Sequence, residues 1–265
     1  MTDILQDAAA EGLSRADRLQ QQPAFQARQA QIRANLSQVQ HQLAQACEQA
    51  QRRPEEVRLL AVTKCHPYED ALAAFWAGVH SAGENRVQEL LQKQRDCQPY
   101  LEQADWQLIG TLQKNKVRQI VGKVSLIQSV DHLELIHSLD QAAGRQGLRQ
   151  DILLQFNYSG EATKHGFEAE AAEQALATCQ ACHYLKVRGM MTMARPGLTD
   201  AEAEAFFSDF AAFYRRLRET DRLMPDPAAF DILSMGMSED YQAAIRAGST
   251  MVRIGSAIFG PRMQP

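Results

Sequence analysis

The sequence predicts an α/β fold: a single (β/α)8 TIM-type barrel with extra N-terminal helices. Two observations predict it. From Val57 onward, eight short apolar runs alternate with segments of helical periodicity. Several of these runs are almost wholly apolar, as in parallel strands covered on both faces. A doubly wound open sheet is the alternative, but no G-x-G-x-x-G follows the first run, which argues against it.

The elements follow in order. Residues 1–30 are rich in Gln and Ala and form an N-terminal extension, helical or partly ordered. The barrel is assigned to residues 31–265. Apolar residues recur at helical spacing from Ala27 to Ala50 (Ile32, Leu36, Val39, Leu43, Ala46), and Pro54 ends that pattern. The predicted strands are Val57–Thr63, Val79–Ala82, Trp106–Ile109, Leu126–Val130, Ile152–Asn157, Lys186–Met190, Phe230–Ser234 and Met251–Ile254. The predicted helices between them are Tyr68–Trp76, Val87–Gln94, Lys114–Val121, His132–Gln146, Glu168–Cys179, Asp200–Glu219 and Glu239–Ala247.

The 265 residues are 45% hydrophobic with a formal charge of -4, enough apolar material for one large core. That balance gives no electrostatic reason to expect nucleic acid or an anionic membrane. No apolar run approaches the roughly 18 residues of a membrane span, and the N-terminus lacks a secretory apolar region, so a cytoplasmic location is expected. Five sparse cysteines do not form a disulfide framework. The lone C-x-x-C, Cys179 to Cys182, reads as a pair of helix cysteines, and no metal site is expected.

In a barrel, chemistry sits at the carboxyl ends of the strands. Those ends are polar and Gly-rich here: Lys64 after strand 1, Glu84 and Asn85 after strand 2, and "TKHGF" (Thr163 to Phe167) after strand 5. "SMGMSED" (Ser234 to Asp240) follows strand 7, and "RIGSAIFG" (Arg253 to Gly260) runs on from strand 8. Barrels often bind phosphate with the loops after strands 7 and 8. Ser238 is placed as a helix N-cap, Gly255 permits close backbone approach and Ser256 supplies a donor. Glu239 and Asp240 would repel a phosphate and are expected to point outward.

Lys64 ends an apolar strand, where desolvating its ammonium is unfavourable. Such a lysine serves as a phosphate-binding point charge or as a Schiff-base amine. With a phosphate cup on the opposite side of the mouth, a ligand with an aldehyde at one end and a phosphate at the other would span the two. Pyridoxal 5′-phosphate has that shape. Arg253 could face its pyridine nitrogen, keep it unprotonated and weaken the ring as an electron sink. Strand alternation turns Cys65 away from Lys64, so Cys65 is expected to pack; His66 is expected to be a loop residue. His165 is a candidate to approach the mouth. Met190, Met191 and Met193 are expected to line the barrel.

"LLAVTK", "GENRVQEL", "WQLIGTLQKNK", "TKHGF", "VRGMMTM" and "LSMGMSEDYQAAIRAGSTMVRIGSAIFG" occur in this order. From Val57 to Gly260 the chain resembles the pyridoxal 5′-phosphate homeostasis proteins. The resemblance implies a fold-type III barrel holding the cofactor as a Schiff base on Lys64. It implies phosphate contacts from Ser238, Gly255 and Ser256, Arg253 toward the pyridine nitrogen, and Asn85 and Met191 beside the site. It implies a protein that binds, buffers and delivers intracellular pyridoxal phosphate, with apo-enzymes that need the cofactor as recipients. Members usually carry His where Gln107 stands, and the stretch before Ala27 extends beyond their usual start.

The competing reading is a fold-type III enzyme such as an amino-acid racemase or decarboxylase. Those enzymes add a second β-domain to the barrel, for which the few residues after Gly260 leave no room. The expectation is therefore a monomeric carrier with no catalytic reaction.

Overall fold

The computed structural model describes residues 14–161, 165–220, 223 and 226–261. The first 13 residues of the extension, and Thr163 and Lys164 of "TKHGF", lie outside them. Eight parallel strands close into a barrel in sequence order, β1 to β8, with β8 returning to β1. The strands are β1 (Arg58–Val62), β2 (Ser81–Glu84), β3 (Asp105–Leu108), β4 (Leu126–Val130), β5 (Gln150–Gln155), β6 (Leu185–Met191), β7 (Ile232–Ser234) and β8 (Met251–Ile254).

The α-helices, in chain order, are α1 (Arg15–Gln20), α2 (Pro23–Gln49), α3 (Tyr68–Trp76), α4 (Val87–Cys97) and α5 (Val117–Ile120). They continue with α6 (Leu133–Gln146), α7 (Ala172–Gln180), α8 (Asp200–Arg218), α9 (Tyr241–Arg246) and α10 (Ser256–Phe259). Among the described residues no helix is long and apolar enough to cross a membrane.

Two apolar clusters follow from strand alternation. Residues on the outer strand faces pack under the helices in one large core. A smaller cluster of Leu60, Leu126, Leu153, Met191, Ile232 and Met251 fills the barrel interior. The sheet is closed and packed, so its mouth is a floor for a site, with no pore beneath it.

Where elements depart from the sequence pattern, local bonding explains the shift. The apolar run at Val79 begins too early because Gly78, at φ +100°, and Val79 close the end of α3, Val79 N–H donating to Ala74 O. β2 extends to Glu84 instead. The predicted start of β7 at Phe230 is a turn, with Ala229 and Phe230 donating to Asp226 and Pro227 carbonyls. In β6, Gly189 adopts φ +150°, and a Cβ there would sit 1.7 Å from Ile232 O. Only glycine fits this register shift against β5. Helix α8 opens on a Thr199–Glu202 capping box, a device worth about 1 kcal/mol.

The N-terminal segment is continuous with the barrel. Helix α2 runs through residue 30, so the division drawn there falls inside one helix. Its buried face (Phe25, Ile32, Leu36, Val39, Leu43) joins the core. Arg28 Nη2 donates to Phe259 O at 2.8 Å and Asn35 Nδ2 to Ile258 O at 2.8 Å. Gln42 Oε1 accepts from Tyr241 Oη at 2.7 Å. Beyond the helix, Arg52 Nη1 donates to the carbonyls of Ile245 and Ser249. Helix α2 and Arg52 after it thus hold the two helices that follow β7 and β8.

Candidate functional site

A cavity of about 530 Å³ opens at the carboxyl ends of the strands. Lys64, Asn85, Ser238, Arg253, Gly255 and Ser256 all line it, as does His165. Of the predicted site residues, Met191 does not: it is 1% exposed, within the inner barrel cluster. Met193, two residues further along, reaches the cavity instead, with Ala194 and Arg195.

Lys64 occupies a turn directly after β1 and is half-buried. The turn is built by residues from α4 and β2. Lys93 Nζ donates to Thr63 O at 2.6 Å, to Glu84 Oε1 at 2.6 Å and to Glu89 Oε1 at 3.0 Å. Thr63 Oγ1 also donates to Glu84 Oε1, at 2.6 Å. Cys65 takes φ +63° and donates its N–H to Glu89 Oε1 at 2.8 Å. The residues flanking Lys64 are therefore pinned on both sides by one buried ionic cluster. Burial pushes the Glu84 carboxyl above the usual carboxylate range despite the attraction of Lys93. Its Oε2 is buried without a hydrogen-bond partner.

The expectation for Cys65 is corrected, whereas His66 lies in the loop between β1 and α3 as expected. Cys65 is exposed, because the left-handed turn lifts its side chain out of the strand alternation. His66 is buried, with its ring 5.2 Å from that of Phe259 and Nδ1 3.3 Å from Asp70 Oδ2. Arg28 forks onto both Asp70 oxygens, so Nδ1 is left without an aligned partner. Burial holds the imidazole below its ordinary value, more than Asp70 raises it.

The loops after β7 and β8 are joined by Ser238. The serine does not cap α9; Asp240 is the N-cap residue. Ser238 Oγ accepts from Gly255 N–H at 3.1 Å and from Ala257 N–H at 3.4 Å. Asp240 turns inward, contrary to expectation, and Oδ1 accepts from Met237 N–H at 2.6 Å. Burial raises its carboxyl, and the Arg253 charge partly opposes this. Glu239 is exposed.

Gly236, at φ +92°, lets the β7 loop fold tightly over α9, where a Cβ would meet Ala244 Cβ at 2.6 Å. Arg253 N–H donates to Gly236 O at 3.0 Å and ties that loop to β8. A Cβ on Gly255 would press on Val62 O at 3.3 Å, so the β8 loop lies directly against β1.

This last contact revises the layout. β8 pairs with β1, Arg253 opposite Leu60 and Ile254 opposite Ala61. The Gly255–Ser256 wall is next to the strand that carries Lys64, and not across the mouth from it. Arg253 is 4% exposed; Nη1 donates to Ser234 Oγ at 2.7 Å and Nη2 to Thr192 O at 2.9 Å. Desolvation pulls its guanidinium down to about 10, still protonated at neutral pH.

The residues present fit a ligand that bears an aldehyde and a phosphate. They offer one primary amine, two serine hydroxyls and a donor-only guanidinium, with the backbone around Gly255 held open to the cavity by Ser238 Oγ. The cysteines of the C-x-x-C do not join this chemistry. Cys179 is buried in α7, and burial raises the thiol of Cys182 to about 11.

Sequence reasoning missed Lys93, Glu89 and Arg28. Glu89 and Lys93 stand at i,i+4 on one helix, the pattern of a solvated salt bridge. Only the approach of Glu84 from β2 makes that pair a buried support.

Comparison with known proteins places the chain. Residues 34–263 match the family described as "Alanine racemase, N-terminal domain". The pyridoxal phosphate homeostasis protein of Aquifex aeolicus is 37% identical over 229 residues, 86% of this chain and 96% of that protein. Its Escherichia coli counterpart is 35% identical over 240 residues, 87% of this chain and 97% of that protein. PipY of Synechococcus elongatus, solved with PLP bound, superposes with a TM-score of 0.74 at 32% identity. That match covers 87% of this chain and all of PipY. An alanine racemase of Clostridium difficile shares the fold at a TM-score of 0.66 and 16% identity, over 89% of this chain and 60% of the enzyme. Relatedness over nearly the full length of the curated relatives, on one barrel, makes the chain a member of the pyridoxal phosphate homeostasis protein family.

Proposed function

We propose that this protein binds pyridoxal 5′-phosphate reversibly through Lys64 and works as an intracellular carrier and buffer of the cofactor. The observation that carries the reading is the single cavity that collects Lys64, Asn85, Ser238, Arg253, Gly255 and Ser256. Membership of the family, and a relative solved with PLP bound, support it.

Each residue has a stated part. Lys64 supplies the amine for a covalent, reversible link. Ser238, Ser256 and the backbone around Gly255 hold the phosphate by charge-assisted hydrogen bonds. Asn85 lines the wall beside Lys64. Arg253 presents only donors at the cavity and would favour an unprotonated pyridine nitrogen in a bound cofactor. When bound, the cofactor supplies an electrophilic aldehyde carbon and a ring that withdraws electrons; an arginine partner damps that withdrawal. The arrangement suits holding the cofactor better than driving a carbanion reaction. We assign the protein to the cytoplasm, as a monomer, with apo-enzymes as recipients and no catalytic reaction of its own.

An absorption spectrum tests this. Adding pyridoxal phosphate to the purified protein produces an imine band, and Lys64→Ala abolishes it. A wild-type protein that stays colourless overturns the binding reading. Turnover of L-alanine or another amino acid at roughly 1 per second or faster overturns the carrier reading.

A further inference from the structure

A line of polar side chains crosses the barrel interior beneath Arg253. Arg253 Nη1 donates to Ser234 Oγ at 2.7 Å, and Ser234 Oγ donates to Gln128 Oε1 at 2.7 Å. Gln128 Nε2 donates to Gln107 Oε1 at 2.7 Å, and Gln107 Nε2 to Asp105 Oδ2 at 2.9 Å. Ser234 and Gln128 are fully buried, and Gln107 is 4% exposed.

Alternation explains their meeting. Arg253, Ser234, Gln128 and Gln107 stand two residues from Met251, Ile232, Leu126 and Asp105 respectively. Met251, Ile232 and Leu126 belong to the inner barrel cluster, so the polar residues share that face. The line passes from β8 and β7 to β4 and β3 on the far wall.

The ends of this line dictate its direction. A guanidinium can only donate, and an ionised carboxylate can only accept. Ser234, having accepted from Arg253, must pass its own proton on. Each glutamine must then turn its oxygen toward Arg253 and its nitrogen toward Asp105. No other orientation of the two amides satisfies every link. In a low-dielectric interior such a one-way chain is polarised along its length, and a half-broken one leaves buried groups unsatisfied.

Resting on the reading of Arg253 as the group that faces the cofactor ring, we propose that Gln107, Gln128 and Ser234 form a positioning relay for Arg253. The relay fixes the guanidinium in one rotameric and donor-only orientation toward the cavity and couples it to the carboxylate of Asp105. Built from amides and a hydroxyl, it has no titrating link, so the orientation does not change across the physiological pH range. A histidine at 107 would keep the direction while neutral, accepting on one ring nitrogen and donating from the other. Protonated, it could only donate, and the link from Gln128 would break.

The test uses the full chain, with and without pyridoxal phosphate, in wild type, Gln128→Met and Gln107→His. In the apo-protein, side-chain 15N NMR reads the Arg253 guanidinium directly. Wild type shows resolved, slowly exchanging Nη signals, and Gln128→Met loses them. In the loaded protein, Gln128→Met releases the cofactor about tenfold faster, because Arg253 is no longer held in one orientation through Ser234. Gln107→His behaves as wild type while its imidazole is neutral and acquires faster release as the pH falls through the titration of that imidazole. A packing defect would give no such pH dependence, and a poorly folded Gln128→Met leaves Gln107→His as the deciding variant. Wild-type Arg253 signals in Gln128→Met, or flat pH behaviour in Gln107→His, overturn the relay. A wild-type protein that fails to bind the cofactor overturns the carrier reading alone, because the apo NMR comparison still decides the relay.

Discussion

Lys93 Nζ lies 2.6 Å from the carbonyl oxygen of Thr63, the residue before Lys64. A buried ammonium from α4 thereby holds the turn that presents the candidate cofactor lysine. The same ammonium neutralises Glu84, which is fully buried. Lys93→Met is expected to destabilise the protein by about 3 kcal/mol, because Glu84 is left without a countercharge. The loss should shrink at acid pH, where Glu84 takes up a proton. Denaturant melts of the apo-protein at pH 5 and pH 8 measure this. Equal losses at both pH values would show that Glu84 is not the group left uncompensated. Lys93→Met with Glu84→Gln should recover part of the stability.

Arg28 ties the N-terminal helix to the wall of the site. It forks onto Asp70, which is 3% exposed, and donates to Phe259 O at the end of α10. Arg28→Met is expected to cost about 1–3 kcal/mol, since one end of the ion pair is partly solvated. Asn35→Ala, which releases Ile258 O, should cost about 1 kcal/mol. Both should also weaken cofactor retention, because α10 begins at Ser256, a candidate phosphate donor. Retention unchanged in both variants would show that the clamp stabilises the barrel without shaping the site.

Ser238 bridges the β7 and β8 loops through Gly255 N–H. Ser238→Ala together with Ser256→Ala removes two candidate phosphate donors. Bonds to a charged group contribute about 1.5–3 kcal/mol each, so the pair should raise the cofactor Kd at least about a hundredfold. Spectroscopic titration with pyridoxal phosphate gives the value. An unchanged Kd would move the phosphate subsite elsewhere in the cavity.

Much of this architecture was legible because its signals are local. β4 and β8 match the predicted strands Leu126–Val130 and Met251–Ile254, which are buried on both faces. Lys64 stood out as a charge at the end of an apolar run. The loops after strands 7 and 8 announced themselves through Gly236, Ser238, Gly255 and Ser256. The supports of the site were not legible, because each depends on residues far apart in the chain. Lys93 becomes buried only through Glu84, Arg28 meets Phe259 across 231 positions, and Gln128 meets Ser234 across 106. The adjacency of β8 and β1 follows from barrel closure, yet the alternation of elements alone does not bring Gly255 against Val62. Met191 was drawn to the cavity by its motif, while strand geometry sends it inward and lets Met193 line the mouth.

His66 carries a pH dependence whose sign is set by burial. The ring packs beside Phe259, faces Asp70, and feels the positive charges of Arg28 and Lys93. Desolvation is the largest of these influences and holds the folded value below 6.5. Between that lowered value and about 6.5 the unfolded chain binds more protons than the native one, so stability rises with pH over this window. The contribution is fully present above about pH 6.5 and is lost as pH falls through the folded value. His66→Gln, which stays neutral, should lack this component. The stability difference between wild type and His66→Gln, measured by denaturant melts from pH 5 to 8, should therefore move against wild type as the pH drops. A difference that stays constant over the range would mean that the imidazole titrates alike in the folded and unfolded chain, with Asp70 offsetting burial. A difference that moves in favour of wild type as the pH drops would mean that Asp70 outweighs burial and makes the ring a third partner of the Arg28–Asp70 clamp.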